Sequence, residues 1–113
     1  MHELALTKSL IDLVEREAKN QGFTRALEIR MKLGEYSGVV PGYILDLFPE
    51  ASRGTAAEGA KLLFEQIPGR FRCAGCGYEG AVERREAKCP QCGGTALRMT
   101  GGREFFVDSL KVE

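Results

Sequence analysis

The chain has 113 residues, enough for one compact domain or for a small domain with a metal-stapled lobe. Sixteen Lys and Arg balance sixteen Asp and Glu. A net charge of zero argues against a general binder of nucleic acid or membrane surfaces, whose affinity rests on excess positive charge.

From Leu4 to Ala18 the apolar residues recur at spacings of three, four and seven, with Lys8, Asp12, Glu15 and Arg16 between them. This is the pattern of an amphipathic helix, stopped by Asn20-Gln21-Gly22. In Thr24–Leu33, Leu27, Ile29, Met31 and Leu33 alternate with Ala26, Glu28, Arg30 and Lys32, the signature of a half-buried strand. Ser37-Gly38 marks a turn, and Pro41 suits the first position of a second helix presenting Ile44, Leu47 and Phe48. Pro49, which has no N–H to donate, is expected to kink or end that helix. Gly54 and Gly59 frame a loop, Lys61–Ile67 reads as a second strand, and Pro68-Gly69 breaks it. After a cysteine-bearing lobe and a Gly101-Gly102 hinge, Arg103–Glu113 reads as a last strand with Phe106, Leu110 and Val112 on one face.

The expected fold is therefore α+β: two helices packed on a three-stranded sheet, with a zinc-ribbon lobe inserted between the last two strands. Residues 1–69 and 99–113 would form the body, and residues 70–98 the lobe. The excursion is inexpensive, because closure entropy grows only slowly with loop length.

The lobe carries Cys73-Ala-Gly-Cys76 and, twelve residues on, Cys89-Pro-Gln-Cys92, with Gly77 and Gly93 following the pairs. No apolar run approaches a signal core or a membrane span. The thiols are thus expected in a reducing cytoplasm, where paired CxxC units imply metal or redox chemistry. Two residues between thiolates let one tight turn aim both sulfurs at one ion, and the glycines let the chain turn back. Two such turns facing each other make a closed tetrahedral sulfur cage, zinc's preferred structural site. A redox pair, an iron–sulfur cluster and buried free cysteines are the alternatives; a rubredoxin-like iron site has the same ligands. The lobe's six basic residues (Arg70, Arg72, Arg84, Arg85, Lys88, Arg98) exceed its three acidic ones (Glu79, Glu83, Glu86), which keeps a nucleic-acid reading open. Interleaving of the two signs favours a solvated surface instead.

The chain begins Met1-His2-Glu3 at the start of a helix, and His2 is its single histidine. The Met1 α-amine, the His2 backbone nitrogen and its imidazole can close two fused chelate rings on one ion, with Glu3 adding a backbone nitrogen or its carboxylate. Such a nitrogen-rich set suits nickel(II) or copper(II). The first amides of a helix lack intrahelical acceptors, so ionising them breaks no helical bond. The positive helix terminus opposes a cation, and Glu3 would offset it. The site requires a retained, unblocked Met1, which a bulky second residue favours.

Met1-His2-Glu3-Leu4, Gly34-Glu35-Tyr36-Ser37-Gly38-Val39-Val40-Pro41, Gly54-Thr55-Ala56-Ala57-Glu58-Gly59-Ala60 and the cysteine knuckles, in that order, resemble the HypA/HybF family of hydrogenase-maturation nickel metallochaperones. The likeness covers essentially the whole chain. It implies a nickel site at Met1, His2 and Glu3 and a zinc site at Cys73, Cys76, Cys89 and Cys92. It also implies transfer of nickel to the large subunit of a [NiFe] hydrogenase, together with the nickel-binding GTPase HypB; some members also supply urease. The sequence leaves a homodimer open. It points to no nucleophile–base set and no phosphate loop, so the expected protein is not an enzyme. The rival readings are a zinc-ribbon nucleic-acid or transcription accessory protein, and an adaptor whose zinc merely shapes a protein-binding surface.

Overall fold

The computed structural model describes residues 2–113. The element order is α1 (Glu3–Gln21), β1 (Ala26–Gly34), α2 (Pro41–Ala51), β2 (Lys61–Ile67), β3 (Arg70–Cys73), β4 (Glu79–Gly80), β5 (Leu97–Gly101) and β6 (Phe105–Val112). Two three-stranded sheets form, one in the order β2-β1-β6 and one in the order β4-β3-β5. The α+β class and the inserted lobe are as the sequence implies, and the lobe brings a sheet of its own. By contact density the chain forms two compact units. One comprises the chain through Lys32, Gly38–Glu65 and Phe106–Glu113; the other comprises Leu33–Ser37 and Gln66–Phe105.

In the first unit, α1 buries Glu3, Thr7, Leu10, Ile11 and Val14, a single stripe at helical spacing. Gly22 ends the helix in the left-handed region at φ 79°, its N–H bonded to the Ala18 carbonyl at 2.9 Å. α2 packs against α1 and buries Ile44 and Phe48. β1, the central strand of its sheet, buries Ile29 and Met31. Ile29, Ile44 and Val14 have no exposed surface, and each such side chain contributes roughly 1.5–3 kcal/mol through burial. The loop after α2 is fastened to both neighbours. Its Ala56 N–H donates to the Glu15 carboxylate of α1 at 2.5 Å, and its Ala56 carbonyl accepts from the Ala26 N–H at 2.8 Å.

Three local expectations need correction. The second helix runs through Pro49 to Ala51. Pro49 lies near the end of the helix, so it removes the donor for the Leu45 carbonyl alone; the Ser52 N–H still closes on the Phe48 carbonyl at 2.9 Å. On β1, Ala26 is buried and Leu27 is 40 % exposed, so strict alternation starts only at Ile29. On β6, Phe105, Val107 and Leu110 are the more shielded residues, while Phe106 and Val112 lie open at 45 % and 41 %. The inward parity changes between Val107 and Leu110, so the alternation read from Phe106, Leu110 and Val112 does not describe one face.

In the second unit, three chain segments meet with no room for side chains. A Cβ on Gly34 would lie 2.2 Å from the Gly102 carbonyl oxygen, and one on Gly69 would lie 2.3 Å from the Tyr36 ring. Backbone bonds tie the crossing: Gly34 N–H to the Glu104 carbonyl at 2.6 Å, Tyr36 N–H to the Gly102 carbonyl at 2.7 Å, and Glu35 N–H to the Ile67 carbonyl at 2.8 Å. The Glu35 carboxylate accepts from the Gly69 N–H at 2.9 Å.

Gly34→Ala should therefore destabilise the protein by about 3 kcal/mol or more, because the clash is with backbone and cannot be relieved by a rotamer change. Gly42→Ala, in α2 with nothing within 4 Å of the added methyl, should be neutral or stabilising by up to about 1 kcal/mol. Urea unfolding of both variants decides this; equal effects would mean that the crossing is not tight.

Candidate metal centre

The two cysteine knuckles are built alike. In the first, β3 delivers Cys73, whose N–H donates to the Tyr78 carbonyl at 2.9 Å, and Gly77 N–H returns to the Cys73 carbonyl at 2.8 Å. In the second, Cys89 N–H donates to the Gly94 carbonyl and Gly93 N–H to the Cys89 carbonyl, both at 2.8 Å. Each closing glycine has a positive φ, 81° at Gly77 and 74° at Gly93, which is why glycine follows each pair. The turns leave the sulfurs as a cluster, all within 4.8 Å of one another. Cys73 Sγ lies 3.7 Å from Cys92 Sγ, and Cys76 Sγ lies 3.6 Å from Cys89 Sγ. A tetrahedron with metal–sulfur bonds of about 2.3 Å has edges of roughly 3.8 Å, so the cluster can hold one ion. No disulfide links these thiols, and the first cysteine of each pair is buried while the second is exposed.

Backbone N–H groups already point at the sulfurs. Gln91 and Cys92 N–H each lie 3.4 Å from Cys89 Sγ, and Gly94 N–H lies 3.4 Å from Cys92 Sγ. At Cys89, desolvation raises the pKa, but these two amides and the neighbouring Cys76 and Cys92 thiols overcome it and bring it down to about 7. At Cys76 a Tyr78 amide pulls downward, but desolvation and the Cys89, Cys92 and Cys73 sulfurs together push the thiol up to about 12. At Cys92 the Gly94 amide pulls downward, yet the net shift, led by Cys73, is upward. Of these sulfurs, Cys89 is thus the one eased toward the thiolate, while Cys76 and Cys92 are held toward the thiol.

At the other candidate site, Met1 lies outside the described residues. His2 sits at the N-cap of α1, its side chain exposed and not engaged in capping, and its carbonyl accepts the Leu6 N–H at 2.9 Å. Glu3 turns inward. It is only 5 % exposed, and its Oε2 accepts the N–H of Val40, the N-cap of α2, at 3.2 Å. The carboxylate therefore joins the first turns of the two helices, where the positive end of α2 favours a negative charge. Thr7, fully buried, donates its hydroxyl to the Glu3 carbonyl at 2.6 Å. Sequence reading missed this inward role. The signal for it was the stripe Glu3, Thr7, Leu10, Val14, on which Glu3 occupies a core position.

The sequence also gave no sign of the part taken by Arg84. Its guanidinium lies 4.5 Å from the centre of the Tyr36 ring, which meets Phe71 edge-on at 5.7 Å. A base that looks solvated in sequence is thus a cation–π partner.

Residues 1–112 match the family described as "Hydrogenase/urease nickel incorporation, metallochaperone, hypA". Hydrogenase maturation factor HypA of Geobacter metallireducens is 39 % identical over 113 residues, covering all of both chains. The protein of the same name from Chlorobium luteolum is 33 % identical over all of this chain and 97 % of its own. The solution structure of the Ni metallochaperone HypA from Helicobacter pylori superposes with a TM-score of 0.71 at 22 % identity, over 99 % of this chain and 97 % of the other. A second solution structure, of HypA protein, gives a TM-score of 0.75 at 22 % identity, over 100 % and 97 %. At that identity these two likenesses speak for the fold alone.

Metal entry into the sulfur cage must expel the protons held on Cys76 and Cys92, and below about pH 7 that on Cys89 as well. Affinity should fall as pH falls, and more steeply once Cys89 is protonated. Competition against a chromophoric chelator between pH 8 and pH 6 measures this; an affinity independent of pH would mean that the thiolates are not the ligands.

Proposed function

This chain belongs to the HypA family of nickel metallochaperones of hydrogenase maturation, and we propose that it binds nickel at its N-terminus and passes it to the large subunit of a [NiFe] hydrogenase. The observation that carries the reading is His2 at the N-cap of α1, exposed and with no capping bond from its side chain. Nickel is cargo here, held by the Met1 α-amine, the backbone nitrogen and imidazole of His2, and Glu3. Because the Glu3 carboxylate is buried against Val40, its backbone nitrogen is the better fourth donor. Some chains of this family serve urease, and the same chemistry would suit that acceptor.

The four cysteines take zinc in this reading. Four thiolates at tetrahedral spacing favour zinc as a closed structural ion with no position left for water. Residues 70–98 are the zinc-binding part, and residues 1–69 with 99–113 the nickel-binding part. The protein carries metal and catalyses nothing; GTP hydrolysis belongs to the partner GTPase, HypB. Among the described residues no helix is long and apolar enough to cross a membrane. The proposed place of work is the cytoplasm.

One nickel should bind per chain. His2→Ala, or a short extension before Met1 that turns the α-amine into an amide, should abolish it without changing zinc content, since the two sites share no ligand. Glu3→Gln, which keeps a hydrogen-bond acceptor for Val40, should leave nickel affinity within a few-fold. Isothermal titration with nickel, paired with zinc analysis, reads all three. Full affinity in both the extended protein and His2→Ala would place nickel elsewhere.

The nickel-binding part should also carry the contact with the GTPase, because transfer requires the two nickel sites to approach. Co-purification with the GTPase should survive charge substitutions in residues 81–88 and fail when exposed Leu4 and Tyr43, which line a shallow cleft beside Glu3, are changed to Asp. The opposite pattern would move the contact to the zinc lobe.

A further inference from the structure

The charged residues of the lobe divide between the two sides of its sheet, and three arginines share one side. On β3 and β5 exposure alternates: Arg70, Arg72, Arg98 and Thr100 face solvent, while Phe71, Leu97 and Met99 are half-buried. Glu83 and Arg84 line a cleft with Tyr36, Phe71 and Met99, so they belong to the side opposite the exposed arginines. The register sets Arg72 directly across from Arg98, with Glu79 on the other flank of Arg72. Like charges at a cross-strand pair repel and weaken the sheet. The compensation is thin: Arg72 reaches Glu79 at only 3.9 Å, and among the described residues Arg98 and Arg103 enter no ion pair. A shallow cleft beside them is lined by Arg98, Thr100, Arg103 and Glu104. Glu104 is already committed, its Oε1 accepting the Gly102 N–H at 2.6 Å.

We infer that this face of the β3–β5 ribbon is a docking surface for a carboxylate-rich stretch of a partner protein. Charge complementarity names the occupant. Two arginines paired across neighbouring strands bring two planar forks to one face, and carboxylates accept such forks in bidentate fashion. Bound carboxylates would also quench the repulsion between Arg72 and Arg98, so the strain of the free ribbon is relieved on docking. A nucleic acid fits less well. Its continuous phosphate chain would have to pass Glu79 at one side and Glu104 at the other, whereas separate carboxylates can straddle them. The zero net charge of the chain supplies no general pull on a polyanion either. The inference is independent of the nickel reading, since it uses none of Met1, His2 or Glu3.

The test uses the full-length, metal-loaded protein and a fluorescein-labelled twelve-residue peptide of alternating Glu and Ser, followed by fluorescence anisotropy at low salt. Binding should weaken as salt rises, and Arg72→Glu with Arg98→Glu should lower affinity about tenfold or more. Lys8→Glu with Lys19→Glu, two exposed bases of α1, should leave it unchanged. Arg98→Thr serves where charge reversal disturbs folding: it removes the cross-strand repulsion, so the urea midpoint should hold or rise while peptide affinity falls. Nickel binding should be intact in every variant. Three results would overturn the inference: peptide affinity unchanged in the Arg72/Arg98 variants, loss of stability in Arg98→Thr without loss of binding, or displacement of the peptide by a single-stranded oligonucleotide of equal charge at lower concentration.

Discussion

The convergence of four sulfurs is the constraint on which the lobe rests. Among the described residues of 70–98, the buried apolar side chains are those of Cys73 and Cys89. The hydrophobic core that holds the first unit, with Leu10, Ile11, Val14, Ile29, Met31, Ile44 and Phe48, has no counterpart there. A segment of this size without a core cannot meet the conformational entropy of folding from burial, and an ion held by the four sulfurs would supply the missing term. The knuckle hydrogen bonds, the short β3–β4–β5 sheet and the seat of Arg84 on Tyr36 all follow from where the sulfurs place the chain. The sheet then has freedom to carry charge on its open face, because its stability is not drawn from that face.

The glycine crossing complements this. Gly34, Gly69 and Gly102 let backbones approach to distances that any side chain would forbid, and Glu35 and Tyr36 then close them with backbone and carboxylate bonds. The stretch Gly34–Gly38 lies in one of the segments that carry the family resemblance. Its physical duty here is to seat a crossing, with Tyr36 as the ring on which both Phe71 and Arg84 rest.

Much of this was legible in the sequence. Periodicity placed α1, β1 and β2, and the cysteine spacing located the cluster of four sulfurs, because both depend on local pattern. What escaped depends on partners distant in sequence. Pro49 stays helical since its missing donor affects a single carbonyl near the helix end, while Ser52 closes the next turn. The face of β6 changes parity because burial, not alternation, decides which residues turn inward. The inward turn of Glu3, whose carboxylate accepts the N–H of Val40, depends on a residue 37 positions away. Arg84 looked solvated until folding brought the Tyr36 ring beneath it.

The unequal exposure of the thiols bears on how the ion in the cage would trade places with another. Each knuckle has one buried sulfur, Cys73 or Cys89, and one at the surface, Cys76 or Cys92. A ligand arriving from solvent would meet Cys76 and Cys92 first, while Cys73 and Cys89 stay shielded. Any ion the four sulfurs held would therefore have one guarded anchor in each knuckle, and those two anchors sit in different turns of the chain.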